Sequence, residues 1–198
     1  MLWLILAQLT APMPTSSDRW LTPNDVPIKD LKTNSQTVVR MATTVDPEGI
    51  VQDCRIEQSN APTKVDELTC RLMIRRARFQ PAIGADGRPA FGVYRTAVEY
   101  WVGDGRPLSG RSTWDLGVSV AKLPSGLKSP VDVKIAFAVD AQGKPSACVG
   151  QKTDSHPALV NVACTEFLKS VDLLPAKNKA GVAVSSVQNA IVRFIEKP

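Results

Sequence analysis

Four cysteines constrain this chain more than any other feature. Cys54 and Cys70 lie 16 positions apart, Cys148 and Cys164 lie 16 positions apart, and the two pairs are offset by 94. Such regularity marks an internal repeat, which has to be settled before any fold. Displacing the chain by 94 places Val39 on Val133, Val45 on Val139, Asp46 on Asp140, Gly49 on Gly143, Pro81 on Pro175 and Val93 on Val187, without a gap. The identities fall on cysteines, turn residues and a few strand valines, so the chain reads as a diverged duplication. Its 198 residues accommodate two small units. A unit of about 80–90 residues buries a smaller share of its surface than a larger domain, and cross-links would help it.

Both units read in the same order. In the first, β-branched residues over 37–45 meet the turn Asp46-Pro47-Glu48-Gly49 and a second strand follows over 50–57, which predicts an antiparallel hairpin. Thr63-x-x-Asp66 fits a helix capping box. From 65 to 78 the period is helical, with Val65, Leu68, Cys70, Leu72, Met73, Ile74 and Ala77 forming a broad apolar side. Phe79-Gln80-Pro81 closes the helix, because proline cannot continue it. Ala85-Asp86-Gly87 reads as a turn and 91–102 as a long final strand rich in Val, Tyr and Trp.

In the second unit, strands over 131–139 and 144–151 flank Asp140-Ala141-Gln142-Gly143. Ser155 is placed to cap a helix from about Pro157, which a first turn tolerates, to about Val171. The last strand runs from about Val182 to Ile195. Residues 103–128, with Gly103, Gly105, Gly110 and Gly126, read as a connector holding a short strand over 116–120. The expected fold class is α+β: two tandem small units over 20–102 and 129–198, each a helix packed on a three-stranded antiparallel sheet.

This order puts one cysteine of each pair on the second strand and the other inside the helix. A disulfide between them would pin the helix to the sheet. Closing a loop of this size is worth about 3 kcal/mol in the chain-entropy model, and it requires an oxidising compartment. Metal binding is the competing reading, but there is no Cys-x-x-Cys and His156 is the only histidine, so zinc would need long-range assembly. Disulfides Cys54–Cys70 and Cys148–Cys164 are the expectation, with no metal and no cofactor.

Net charge is +5, and it is spread as +1 over 20–102, +2 over 103–128 and +2 over 129–198. Without a concentrated basic face, nucleic acid is not an expected partner. A chain that is 43% hydrophobic and 22% charged is expected to fold rather than remain disordered. Residues 1–19 begin with the apolar run Leu2-Trp3-Leu4-Ile5-Leu6-Ala7, too short for the roughly 20 residues that cross a bilayer. The run has the size of a signal-peptide core, though no Lys or Arg precedes it and no clean Ala-x-Ala site follows. Together with the cysteines it suggests an exported chain whose leader or anchor is incomplete.

Several motifs of the first unit carry a family resemblance. Trp20-Leu21-Thr22-Pro23-Asn24-Asp25-Val26-Pro27 opens it, and Val45-Asp46-Pro47-Glu48-Gly49-Ile50-Val51 forms the hairpin. The most specific part is Arg76-Ala77-Arg78-Phe79-Gln80-Pro81-Ala82 followed by Asp86-Gly87-Arg88-Pro89. Residues 20–102 thereby resemble the TonB C-terminal domain family, with Val26 in place of the Tyr of its Tyr-Pro entry segment. The second unit lacks the Arg-Phe and Gly-x-Pro elements, and its assignment follows from the repeat. The resemblance implies a helix on an antiparallel sheet, a periplasmic location and binding rather than catalysis. The implied partner is an outer-membrane TonB-dependent transporter or another envelope protein, captured by pairing an extended peptide with a sheet edge. Membrane contact would come only through an N-terminal anchor. A family member that transduces energy carries a membrane helix and a long proline-rich segment. Only 19 residues precede Trp20 here, so binding or scaffolding without force is equally compatible.

The last strand of the first unit, with Val93, Tyr94 and Arg95, is the candidate edge; its alternative is a strand paired with the other repeat. Arg71, Arg75 and Arg78 share one helix arc with Glu67 and could hold an anion, though a solvated face is the plainer reading. A Glu67–Arg71 pair would add only a few tenths of a kcal/mol. Thr165, Lys169 and Asp172 stand at the matching positions of the second unit, so the stripe is absent there. Asp154, Ser155 and His156 adjoin in sequence, which does not make a triad, and no Gly-x-Ser-x-Gly elbow occurs. Trp101 and Trp114 are expected to be buried between the units.

Overall fold

A computed structural model describes residues 9–15, 17–22, 24–31, 36–102, 114–151 and 156–197. The apolar run over 2–7 and the residues Asp154 and Ser155 lie outside them. The strands and helices are β1 (Met13–Pro14), β2 (Gln36–Val45), β3 (Val51–Ser59), α1 (Thr63–Arg76), β4 (Phe79–Gln80), β5 (Ala82–Ile83), β6 (Pro89–Ala90) and β7 (Gly92–Trp101). Then follow β8 (Leu116–Val120), β9 (Val131–Val139), β10 (Pro145–Gly150), α2 (Pro157–Ser170), β11 (Ala176–Lys177), β12 (Ala183–Val184) and β13 (Ser186–Glu196). The class is α+β.

The two hairpin turns repeat the same chemistry. The Asp46 carboxylate accepts the amides of Glu48 and Ile50 at 3.0 and 2.8 Å, and that of Asp140 accepts Gln142 and Lys144 at 2.9 and 2.8 Å. Gly49 and Gly143 close these turns at φ +81° and +86°, a conformation that favours glycine. A Cβ at Gly49 would stand 2.0 Å from the Phe79 carbonyl oxygen.

The capping box is not formed. Pro62 is the N-cap of α1 and gives no side-chain cap. Asp66 instead accepts the Ser59 hydroxyl at 2.7 Å, and Ser59 accepts the Ala61 amide at 2.9 Å, so these side chains fasten the preceding loop. The inward side of α1 holds Val65, Thr69, Leu72 and Met73. Thr69 buries its hydroxyl by donating to the Val65 carbonyl at 2.7 Å and sharing a 2.6 Å bond with Tyr100, the local bonding that lets a helix tolerate a buried threonine. Ile74, expected inside, is exposed. Both disulfides join the second strand of a hairpin to its helix, with Cα–Cα distances of 5.4 Å for Cys54–Cys70 and 5.8 Å for Cys148–Cys164. They point to an oxidising compartment.

The three strands expected of each unit, β2, β3 and β7 in the first and β9, β10 and β13 in the second, do not stay apart as two sheets. One seven-stranded sheet carries the order β3-β2-β7-β13-β9-β10, with β8 added to β13. The three main strands of each half are antiparallel, but β7 and β13 meet in parallel at Val187–Gly92 and Gln188–Val93, and β8 also joins β13 in parallel. The order reads alike from both ends, and its two central strands point the same way. The rotation exchanging the halves therefore runs along the strands, within the sheet, and turns its faces over. Packing agrees. Tyr94, Val98 and Tyr100 of β7 join the core under α1, whereas Ala190, Val192 and Phe194 of β13 join the core under α2. Gln188 shares the latter face, yet it pairs with Val93, whose side chain points away from α1.

Each half also covers the other's rear. Ala82 of hairpin β5–β6 packs with Ala136 and Val187, and Ala176 of hairpin β11–β12 packs with Ala42 and Val93. The described part of the connector, 114–128, is absorbed too, since β8 pairs with β13 over Leu116–Val120 and Leu123 is buried in the α2 core. Residues 9–14, assigned from sequence to the leader, contribute buried Leu9 and Ala11. Among the described residues no helix is long and apolar enough to cross a membrane.

Candidate functional site

Past Val93, β7 and β13 part, because β13 takes β8 as its neighbour from Val192 onward. The fork is stitched by side chains. Arg95 donates its amide to Asn189 Oδ1 at 2.9 Å, and its guanidinium reaches the Asn189 carbonyl at 3.3 Å, Gln188 Oε1 at 2.9 Å and Glu57 at 3.2 Å. Asp115 exchanges backbone and side-chain bonds with Ile191 at 2.8 and 2.7 Å and accepts Arg40 at 2.9 Å. Burial pushes the Asp115 carboxyl up, opposed by the Ile191 amide, Arg95 and Arg40. A cavity of about 360 Å³ opens between Pro12 and Met13 on one side and Tyr94, Arg95, Asn189 and Ile191 on the other.

The three candidate edge residues are engaged within the chain, which corrects their assignment as a free edge. Val93 is buried and paired with Gln188. The Tyr94 ring packs 5.2 Å from Phe79 and 6.4 Å from buried Trp20. The Arg95 amide is taken by Asn189. Strand alternation puts the amides of Ala97 and Glu99 on the side of β7 that Arg95 uses, and there no strand lies against them among the described residues. The open part of the edge is the distal half of β7.

The arginine arc is dispersed. Arg71 stands 3.9 Å from Glu67, both well exposed, and Arg75 points to solvent. Arg78 turns back to donate to the carbonyls of Ala77 and Arg75 at 2.7 and 3.3 Å, serving the end of α1. Arg76 grips Asp25 with two bonds of 2.6 and 2.8 Å. His156 is the exposed N-cap of α2. Trp114 is more exposed than expected and lies under the Arg193 guanidinium at 4.2 Å, while Trp101 is half-buried. No cluster of metal-ligating side chains occurs among the described residues.

Sequence reasoning missed Arg40, Asp115 and the Arg95–Asn189 tie. The one available signal was the repeat, because Arg95 and Asn189 are themselves 94 apart. Comparison with models of protein families, with curated proteins and with solved structures finds no match in any of the three.

Proposed function

We propose that this chain is a non-catalytic, periplasmic protein-interaction module of TonB C-terminal type, in which two tandem copies are joined through their last strands. Its partner is an extended segment of an outer-membrane transporter or another envelope protein, captured by strand addition. The observation that carries this reading is the parting of β7 and β13, with the outward amides of Ala97 and Glu99 open among the described residues. Backbone pairing needs only such a ladder, and neighbouring side chains supply selectivity. The motifs around Arg76–Pro89 and the two strand-to-helix disulfides support the family and the compartment.

A titration of transporter plug-segment peptides into the full oxidised chain tests this. Saturable binding should weaken at least about tenfold in Glu99→Pro, which removes an outward donor and leaves the β2 pairing intact. A second reading, an envelope scaffold with no peptide site, is favoured by the Val93–Gln188 pairing and the reciprocal hairpins. Absence of binding by every peptide, with both disulfides formed, would decide for the scaffold.

A further inference from the structure

The fold already contains one added strand. Thr10 and Ile83 exchange backbone bonds of 3.1 and 3.0 Å, Met13 faces Gln80, Pro14 faces Phe79, and the Thr15 amide reaches the Arg78 carbonyl at 3.0 Å. The register is constant, so residues 10–15 run antiparallel to 78–83 as one extended strap. It is interrupted where Pro12 opposes Pro81, and neither has an amide hydrogen to give. The other half of the molecule reads this strap. Gln151 Oε1 accepts the Ala11 amide at 3.1 Å, and Leu9 and Ala11 pack with Ala136, Val187, Ala147 and Val149.

The internal rotation carries that groove onto a counterpart. Segment 79–83 becomes 173–177, and the wall formed by Lys134, Gln151 and Asn189 becomes Arg40, Glu57 and Arg95. Those three line a second opening of about 330 Å³ together with Trp114 and Leu174. The apolar floor is conserved in kind: Ala42 and Val93 pack on Ala176 as Ala136 and Val187 pack on Ala82. No described residue takes the place of Leu9 and Ala11. β11 pairs with β12 alone among the described residues, and Leu174 is 53% exposed.

We infer that the outer edge of 173–177, with the rear of β2 and β3, is a second extended-peptide site, distinct from the distal edge of β7. The strap defines its geometry and the substitutions define its chemistry. Ala147 and Val149, which pack against the cluster that holds Leu9 and Ala11, correspond to Asp53 and Arg55, and Gln151 corresponds to Glu57. Arg55 pairs with Glu57 at 3.3 Å, Arg95 with Glu57 at 3.2 Å and Arg40 with Asp115 at 2.9 Å. Asp53 alone of this group has no ion-pair partner among the described residues. The fitting occupant is a peptide that pairs antiparallel with 173–177, carries a basic residue where the strap has Leu9, and has a small residue two positions later whose amide Glu57 accepts.

The test uses the full oxidised chain and two synthetic peptides, the strap sequence 8–15 and its Leu9→Arg form. The Leu9→Arg peptide should bind one-to-one and about fivefold more tightly than the parent. Hydrogen exchange should then show protection over 173–177. Asp53→Asn should weaken binding about fivefold, and Lys177→Pro, which removes the donor matching that of Ile83, should abolish it. If Lys177→Pro fails to fold, the surface change Asp53→Asn still decides. Equal affinity of the two peptides with protection over 79–83 would mean displacement of the strap and overturn the proposal. Binding that Glu99→Pro weakens and Asp53→Asn does not would assign the peptide to β7 and overturn it equally, as would no binding at all.

Discussion

Asp25 shows how much one side chain does at the entry to this fold. Its carboxylate takes two bonds from Arg76 and accepts the amide and hydroxyl of Thr22 at 2.7 and 2.8 Å, tying the segment after Trp20 to the end of α1. The Arg76 bond, then the Thr22 amide, hold the carboxyl well below the usual carboxylate range against the cost of burial. With its folded pKa depressed, the unfolded chain takes up the proton first as pH falls. The contribution is therefore complete above about pH 3.9, the unfolded value, and is lost as pH falls through the acid range below it. Asp25→Asn should cost about 0.5–1 kcal/mol at pH 7, because the pair is partly exposed and screened. It should also flatten the loss of stability below about pH 4 in urea melts at a series of pH values; an unchanged acid slope would refute the assignment. The sequence showed Arg76 only as part of a motif. Its partner lies 51 positions away, across a loop with no periodic signal.

At the scale of elements, the local signals were strong where chemistry is local. The turns at Asp46 and Asp140, the proline at the start of α2 and the strand over Leu116–Val120 follow from neighbouring residues and were legible. The short pairs β5–β6 and β11–β12 were not, because each has only two residues per strand and draws its stability from the other half. The capping box failed for a different, local reason: Ser59, outside the helix, competes for Asp66. Gly143 makes the point quantitative. At φ +86°, a Cβ would stand 2.8 Å from the Leu173 carbonyl oxygen. Gly143→Ala should therefore cost about 1–3 kcal/mol, measured as a shift in the urea midpoint without a change in m. Removing one staple should cost more. Cys148→Ala with Cys164→Ala loses about 3 kcal/mol in the chain-entropy model, or about 6–12 °C in Tm for a chain of this size. A fall below about 1 kcal/mol would show that the sheet alone positions α2.

The whole molecule is where sequence reading fell furthest short, and small residues explain why. Ala42, Ala82, Ala136 and Ala176 are all buried, yet an alanine in a strand signals neither a core nor a solvent face. The β-branched and aromatic content therefore revealed the strands and left their rear faces unassigned. Those rear faces are the surfaces across which the halves cover each other, so their coupling should be thermodynamic. Ala82 belongs by sequence to the first unit but is fully buried against Ala136 and Val187 of the second. Ala82→Asp would bury a charge there without a partner and should cost at least about 3 kcal/mol. If the halves unfold together, native-state hydrogen exchange of Ile135, Phe137 and Ala190 should accelerate as much as that of Met41 and Val98, and calorimetry should show one transition in both proteins. Independent units would predict otherwise. The damage would stay where the substitution sits in the chain, the second core would keep its protection, and two transitions would separate. The strap sharpens the distinction, because its residues pair with the first half and pack on the second. Loss of the Thr10 amide's protection in step with both cores would make the pair one folding unit, which is the condition for two peptide-sized grooves to stay in fixed relation.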